Sequence, residues 1–407
     1  MFQRLGSQMK KVTDTNVCAF KKFEDLKIYT STVMVYSNIN FDQLQVFCKI
    51  PVVYVDPPLT KKKKNIDKKK LRSPYGTIIS MQYYPPKENC YGIYFRGLRL
   101  SKKKTYWCPL CQLYDESGEQ VPTIFEEDCV VNEENLGTYV NETELETYPP
   151  DTKKILFHCN ACDRYLELKQ LLTIVPFLNQ VTIVVSIADM MVNVMMFGSI
   201  CKVAGNKSFS DAVETIMILW EEYIAPDKEL WSISENYRDV HFLFDTVMVN
   251  VDFAMGFPID KCKLNSFMQG EELKDNVYIS QYEPTSSTHV NIKMYSPKPQ
   301  NFCFNVLVYE QKKTEMKSLS SSSPYFAISY EKLYSKAKPK TDKYTTFIVF
   351  SSSKIILTGR YAANMEKNYD FFLKIVHENK SEILETIQRP KISILDYLLQ
   401  LEKNRAV

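Results

Sequence analysis

The chain has 407 residues, and its 51 Lys plus Arg against 48 Asp plus Glu leave a net charge of +3, so only local charge clusters can speak of partners. Eleven glycines, with no Walker-type or dinucleotide fingerprint, argue against phosphate-cradling loops. A hydrophobic content of 45% is enough for two or three domains, or for one large duplicated one.

In chain order, residues 1–27 read as an N-terminal extension without the apolar core of a secretory signal. Eleven scattered cysteines in such a chain read as reduced thiols in an intracellular protein. A strand is expected over 28–36. Lys61–Lys64, Lys68–Lys70 and Arg72 form a basic run. It is a solvated loop, a phosphate-contacting arm or a nuclear localisation signal. A hairpin with a proline turn is expected from 77–84 and 91–100.

Residues 101–180 carry the strongest motif: Cys108-Pro-Leu-Cys111 and Cys159-Asn-Ala-Cys162, separated by an acidic, loop-like stretch. Two such knuckles each aim two thiolates at one ion, the usual way to hold a tetrahedral structural zinc. His158 is a possible substitute ligand, and Cys129 is a spare. Four thiolates close the coordination shell, so a catalytic zinc is not expected.

The apolar segment 181–200 reads as two buried strands. Its first half is rich in Val and Ile, and Asp189 would be costly inside a membrane. Further strands are expected over about 190–205. A helix follows, with Ser210 as N-cap and an apolar stripe of Val213, Ile216, Met217, Trp220 and Ile224.

The second part repeats this order. Thr32-Val33-Met34-Val35 recurs as Thr246-Val247-Met248-Val249, and Cys48-Lys49 as Cys262-Lys263 at the same spacing. Tyr83 and Pro85 match Tyr295 and Pro297, Cys90 matches Cys303, and Phe197-Gly198-Ser199 matches Phe350-Ser351-Ser352. Ordered matches of this kind predict a duplication. The second copy is expected to have a strand at 242–252, a hairpin from 288–295 and 302–310, strands over 344–359, and a helix with Tyr369, Phe372, Leu373, Val376, Ile383, Leu384 and Ile387 on its apolar face. The expected division is 28–224 and 225–388, with a flexible insertion at 311–343 and a helical tail at 389–407. SLSSSSP at 318–324 reads as a loop. Each copy becomes an antiparallel sheet with a helix on one face and the other face free.

FIVFSSSKIILTG (347–359), QYEP (281–284) and VNVDFAMGFPI (249–259) resemble the second half of the TATA-box-binding protein family, and MMFGSICKVAGNKS (195–208) resembles its first half. The large insertions and the Asn-, Lys- and Tyr-rich composition resemble a member from a large DNA virus. The resemblance implies an α+β, duplicated saddle that sits on the minor groove, wedges apolar rings between base steps and bends A-T-rich DNA. Carried over by position, Phe197 and Phe350 match wedge residues, and Tyr75 falls where the first copy's other wedge lies. Ser287 occupies the fourth wedge position. Thr358 matches a central threonine whose first-copy counterpart is Ala204. Lys354 matches a turn lysine and Lys293 a basic strand residue. Ile348 and Ile356 share the face by alternation. The family's groove-reading asparagines fall on Thr30 and Met248.

The resemblance further implies a transcription initiation factor that recruits RNA polymerase with a transcription factor IIB-like protein. The expected compartment is a viral factory in the host cytoplasm, or the nucleus, with packaging in the virion as a further option. No membrane partner is expected. The histidines at 158, 241, 289 and 377 sit in no catalytic motif, and no enzyme activity is expected. The rival functions are a polymerase- or virion-associated scaffold and an accessory module of a nucleic-acid enzyme.

Overall fold

The computed structural model describes residues 21–53, 73–89, 92–98, 105–129, 147–171, 178–188, 190–234, 237–285, 287–297, 303–310, 313–320 and 343–384. The basic run Lys61–Lys70 and the tail at 389–407 lie outside them.

The first half contains β1 (Ile28–Ser37), β2 (Ile39–Phe41), α1 (Gln43–Lys49) and β3 (Ile78–Tyr84). An excursion follows with β4 (Ile93–Gly97), β5 (Thr105–Trp107), β6 (Pro122–Cys129), β7 (Lys153–Cys159) and β8 (Arg164–Leu166). The chain returns as β9 (Gln180–Ile187), β10 (Met190–Phe197), β11 (Ile200–Asn206) and α2 (Phe209–Ile218), which runs on into a π-helical turn, Leu219–Ile224. After β12 (Trp231–Ile233) come β13 (Val240–Ala254), α3 (Lys261–Met268), β14 (Val277–Gln281) and β15 (His289–Ser296). β16 (Cys303–Glu310), β17 (Lys313–Ser320), β18 (Lys343–Phe350), β19 (Lys354–Gly359) and α4 (Ala362–Glu378) complete the second half.

The fold is a mostly antiparallel sheet with few helices, hence α+β. In the first half the ladder runs β1, β11, β10, β9, β3. In the second it runs β13, β19, β18, β15, β14. The two halves therefore pair in the same order, and β1 joins β13 at the centre.

Alternation divides each strand between two faces. Val192, Val194 and Met196 of β10 and Val33 and Val35 of β1 pack into one core with Val46, Phe47, Ile216 and Trp220 from the helical side. Phe347, Val349, Ile355 and Leu357 form a second core with Leu264, Met365, Phe372 and Val376. Both cores lie on the helix-bearing face. At α2 a capping box fixes the start: Ser208 accepts from the Asp211 N–H while Asp211 accepts from the Ser208 N–H. The N-cap is thus Ser208 rather than the expected Ser210.

Several expectations change with the register. β15 does not pair with β16; it lies between β14 and β18, and β16 forms its hairpin with β17. The expected hairpin of 288–295 with 302–310 is therefore absent. By position in the ladder, β9 corresponds to β15 and β3 to β14, so the Tyr83/Tyr295 match joins strands of different rank. The cysteine excursion leaves between the fifth and fourth ladder positions of its half, after β3 and before β9. The other excursion leaves after β15 and before β18. They are not alternative insertions at one site. Ser318–Ser320 belong to β17 rather than to a loop. At the centre, Thr32 faces Met248 and Thr30 faces Asn250, with a bulge between Thr32 and Val33. Exchanging the halves pairs Thr30 with Met248 and Thr32 with Asn250, so the Thr-Val-Met-Val match is out of register.

Candidate metal centre and nucleic-acid interface

The four cysteines converge. Cys108 directly follows β5, Cys159 ends β7, and β6 lies between and pairs with both strands. Each knuckle turns back through a left-handed residue directly after its second cysteine, Gln112 at φ 43° and Asp163 at φ 52°. The four sulfurs lie within 4.8 Å of one another. Cys111 and Cys159 are 3.7 Å apart, and Cys108 and Cys162 are 4.0 Å apart. Metal–sulfur bonds of ~2.3 Å give a tetrahedron with edges of about 3.8 Å, so the cluster already has the size a single ion requires. Cys108 and Cys159 are buried in a small core with Ile93, Phe95, Ile124, Ile155, Phe157 and Leu166.

The sulfurs are electrostatically unequal. Burial pushes the Cys159 thiol up, but donation from the Cys162 and Ala161 N–H groups and the Thr123 hydroxyl brings it down to about 6. Burial and the Cys159 and Cys108 sulfurs push Cys162 up to about 12. Burial, with the same kind of neighbours, also raises Cys111. Only a cation at the centre would let all four ionise together. His158 is not a fifth candidate: Nδ1 meets Asn160 and Nε2 meets Asp163 at 3.0 Å. The excursion between the knuckles, read as loop-like, contributes two ordered strands.

The second feature is the sheet face opposite the helices. Cross-strand partners share a face. In the second half the row Asn250, Thr358, Thr346, Lys293 crosses four strands, and Asp252, Ile356, Ile348, Asn291 lies beside it. Phe350 follows at the turn, with His289 opposite, their rings 5.6 Å apart. Lys354 reaches Asp252 at 3.1 Å. In the first half Met34, Lys202 and Met195 form one row, Thr32, Ala204 and Asn193 another, and Phe197 stands at the turn opposite Ile200. Phe197, Ile348, Phe350, Ile356 and Thr358 are all partly exposed. The fold thus brings Phe197, Lys293, Ile348, Phe350, Lys354, Ile356 and Thr358 to one face.

Tyr75 is not on it. Its hydroxyl bonds to Glu214 of α2, on the helical side, and that acceptor carboxylate pushes the phenol up to about 12. The error came from counting along β3. Continuing the register past Met196 and Val181 puts Gln180 beside Phe197 as His289 stands beside Phe350, so the first-half counterpart of Ser287 is Leu178, which packs against the core of the cysteine module. Sequence reasoning also passed over Asn250, Asp252 and His289. Their signal was alternation counted outward from Thr358 and Phe350.

No protein-family model matches the chain. An uncharacterised protein of Invertebrate iridescent virus 6, protein 335L, is 27% identical over 139 residues, covering 33% of this chain and 41% of that protein. The match therefore spans about two-fifths of the relative's length. Among solved structures, Methanococcus jannaschii TBP aligns over 48% of this chain and 78% of its own length, with 12% identity and a TM-score of 0.28. A score that low adds no weight to a functional assignment. Among the described residues no helix is long and apolar enough to cross a membrane.

Proposed function

We propose that the chain is a TATA-box-binding-protein-like initiation factor, a duplicated saddle that grips duplex DNA through the minor groove. One observation carries this: the residues of the sequence resemblance, from Phe197 to Thr358, fall on a single helix-free face that runs through both halves. Phe197 and Phe350 stand at turns of the same rank in the two ladders, where rings can enter between base steps. Lys202, Lys293 and Lys354 share the face and suit flanking phosphates. The cysteine quartet holds a structural zinc, and its module extends the sheet from β3 as a docking element for RNA polymerase or a transcription factor IIB-like protein. The viral relative supports a virus-encoded origin for the chain.

A second function, a polymerase- or virion-associated scaffold that does not bend DNA, is favoured by Asp252, whose carboxylate sits on the same face. Fluorescence anisotropy with A-T-rich and G-C-rich duplexes separates the two. The expected result is preferential binding of the A-T-rich duplex, weakened by Phe197→Ala and by Phe350→Ala. Equal, weak binding of both duplexes, untouched by either substitution, would favour the scaffold.

A further inference from the structure

We infer that three tyrosines on the outer strands of the second half, Tyr278, Tyr295 and Tyr344, form with Lys293 a site for unpaired nucleotides of single-stranded DNA or RNA. The site lies apart from the wedge positions and needs no duplex.

Tyr295 of β15 faces Tyr344 of β18, one row outward from Lys293 and Thr346 on the same sheet face. Tyr278 belongs to β14, on the other side of β15, and sits in a bulge between Val277 and Ile279. A bulge re-aims the extra side chain. Here it sends Tyr278 over β15. β14 and β18 are two strand spacings apart, about 9.5 Å. Yet the Tyr278 and Tyr344 rings stack, with centroids 4.4 Å apart and planes 18° apart. Tyr295 meets Tyr278 edge-on at 5.6 Å. Tyr278 is 50% exposed and Tyr295 46%. Among the described residues, neither hydroxyl is hydrogen-bonded and Lys293 makes no ion pair.

The core does not need these rings. It is built from the opposite face, by Val290, Ile292, Met294, Phe347 and Val349. In the first half the same corner is sealed. β3 bulges at the matching place, between Ile78 and Ser80, and the three matching residues are Ile79, Ser186 and Met191. Ile79 is fully buried, and its carbonyl accepts from Leu98 of the cysteine module. Ser186 is buried too, and its carbonyl accepts from Gly76. The second half leaves the corner open and lines it with rings.

An unpaired nucleotide offers two handles. Its base stacks on an exposed ring whatever the sequence, and its phosphate pairs with a nearby cation. Tyr278 and Tyr295 supply the first and Lys293 the second. A base inside a duplex already has neighbours on both faces, so the preference is for unpaired strands.

The test is fluorescence anisotropy with the full-length protein and three labelled strands of about 15 nucleotides. They are oligo(dT), oligo(rU) and an abasic strand with the same phosphates. The base-bearing strands are expected to bind, and the abasic strand about tenfold more weakly. The tighter of the first two names DNA or RNA as the source. Tyr278→Ala should weaken oligo(dT) binding about tenfold, whereas Tyr278→Phe, which keeps a ring, should not. Tyr295→Ala, on a different strand, gives the same reading where the first variant fails to fold. Lys293→Gln should lower the salt slope of binding by about 0.7. Unchanged binding in the alanine variants, or an abasic strand held as tightly as oligo(dT), overturns the inference. So does binding of an oligoproline peptide in place of both strands, which would make the trio a protein-docking site. Oligo(dT) forms no duplex with itself, so failure of the duplex-binding proposal leaves this result readable, and failure here leaves that proposal standing.

Discussion

At the scale of single residues, the cysteine quartet sets a clear expectation for pH. Metal ligation needs thiolates, and protons compete for the same sulfurs. Cys159 is already poised at about 6, whereas Cys162 is held at about 12 and Cys111 is also raised. Binding at neutral pH must therefore expel protons from the raised thiols. The apparent zinc affinity should fall as pH is lowered, and binding should release protons into a weakly buffered solution. Chelator competition at several pH values measures the first, and a pH indicator the second. An affinity flat from pH 6 to 8 would exclude thiolate ligation. Cys162→Ser should lose the ion outright. This centre was legible in the sequence because each knuckle is a contiguous four-residue motif that folds locally. Asn250 was not, because its place beside Thr358 depends on the long-range pairing of β13 with β19, which no local pattern announces.

At the scale of elements, a buried side chain reinforces the joint between the cysteine module and the main sheet, where β4 pairs with β3. Arg96 on β4 is 8% exposed; its guanidinium donates to the Phe47 and Ile50 carbonyls at 2.8 and 3.0 Å, and Nε bonds to Asp151. It thereby satisfies carbonyls left over at the end of α1. Next to it Gly97 adopts φ 75°, and a Cβ there would lie 2.4 Å from the Ile79 carbonyl oxygen. Arg96→Met keeps much of the apolar stem but orphans these carbonyls, at about 1–3 kcal/mol each. A lower thermal midpoint for the whole first half is the expected result, seen by calorimetry. A midpoint within error of the parent would show that the clamp is dispensable. The start of α2 shows what sequence could and could not decide. Ser208 and Ser210 both look like caps, but only Ser208 has an acidic partner three residues on, Asp211. That signal was present and unread. The pairing of β15 was not readable at all, because β14, β16 and β18 are all strands and only the three-dimensional ladder selects among them.

At the scale of the molecule, the two halves share a pairing order but not a surface. The first presents Met34, Met195 and Ala204 where the second presents Asp252, Ile348 and Thr358. The proposed wedge sites carry one ring in each half: beside Phe197, Leu178 packs against the cysteine module's core, and beside Phe350 stands Ser287, too polar to replace lost stacking. On the duplex-binding proposal, DNA bound to this face should kink once under each half. Energy transfer between dyes on the two arms should show Phe197→Ala and Phe350→Ala each losing part of the bend, and the double variant most of it. A bend untouched by either change, or a straight duplex, would remove wedging altogether. The shared pairing order left a sequence signal at the turns, where Phe197 and Phe350 align. It was misread along β3, because the cysteine excursion separates β3 from β9, its true neighbour in the ladder.

That excursion also orders events in time. β1 is synthesised first, yet its partners are β11 and β13, and β3 must wait for β9. Everything between them, including both knuckles, emerges beforehand. Loop-closure entropy is smaller when the intervening chain has already condensed into a compact unit. The cysteine module has its own small core and most of its own pairings, so it can collapse while β1 and β3 still lack their long-range neighbours. Capturing a metal ion at that stage would shorten the effective distance across which the first half must close. The ion then acts on how the chain reaches its fold as well as on how firmly it stays there.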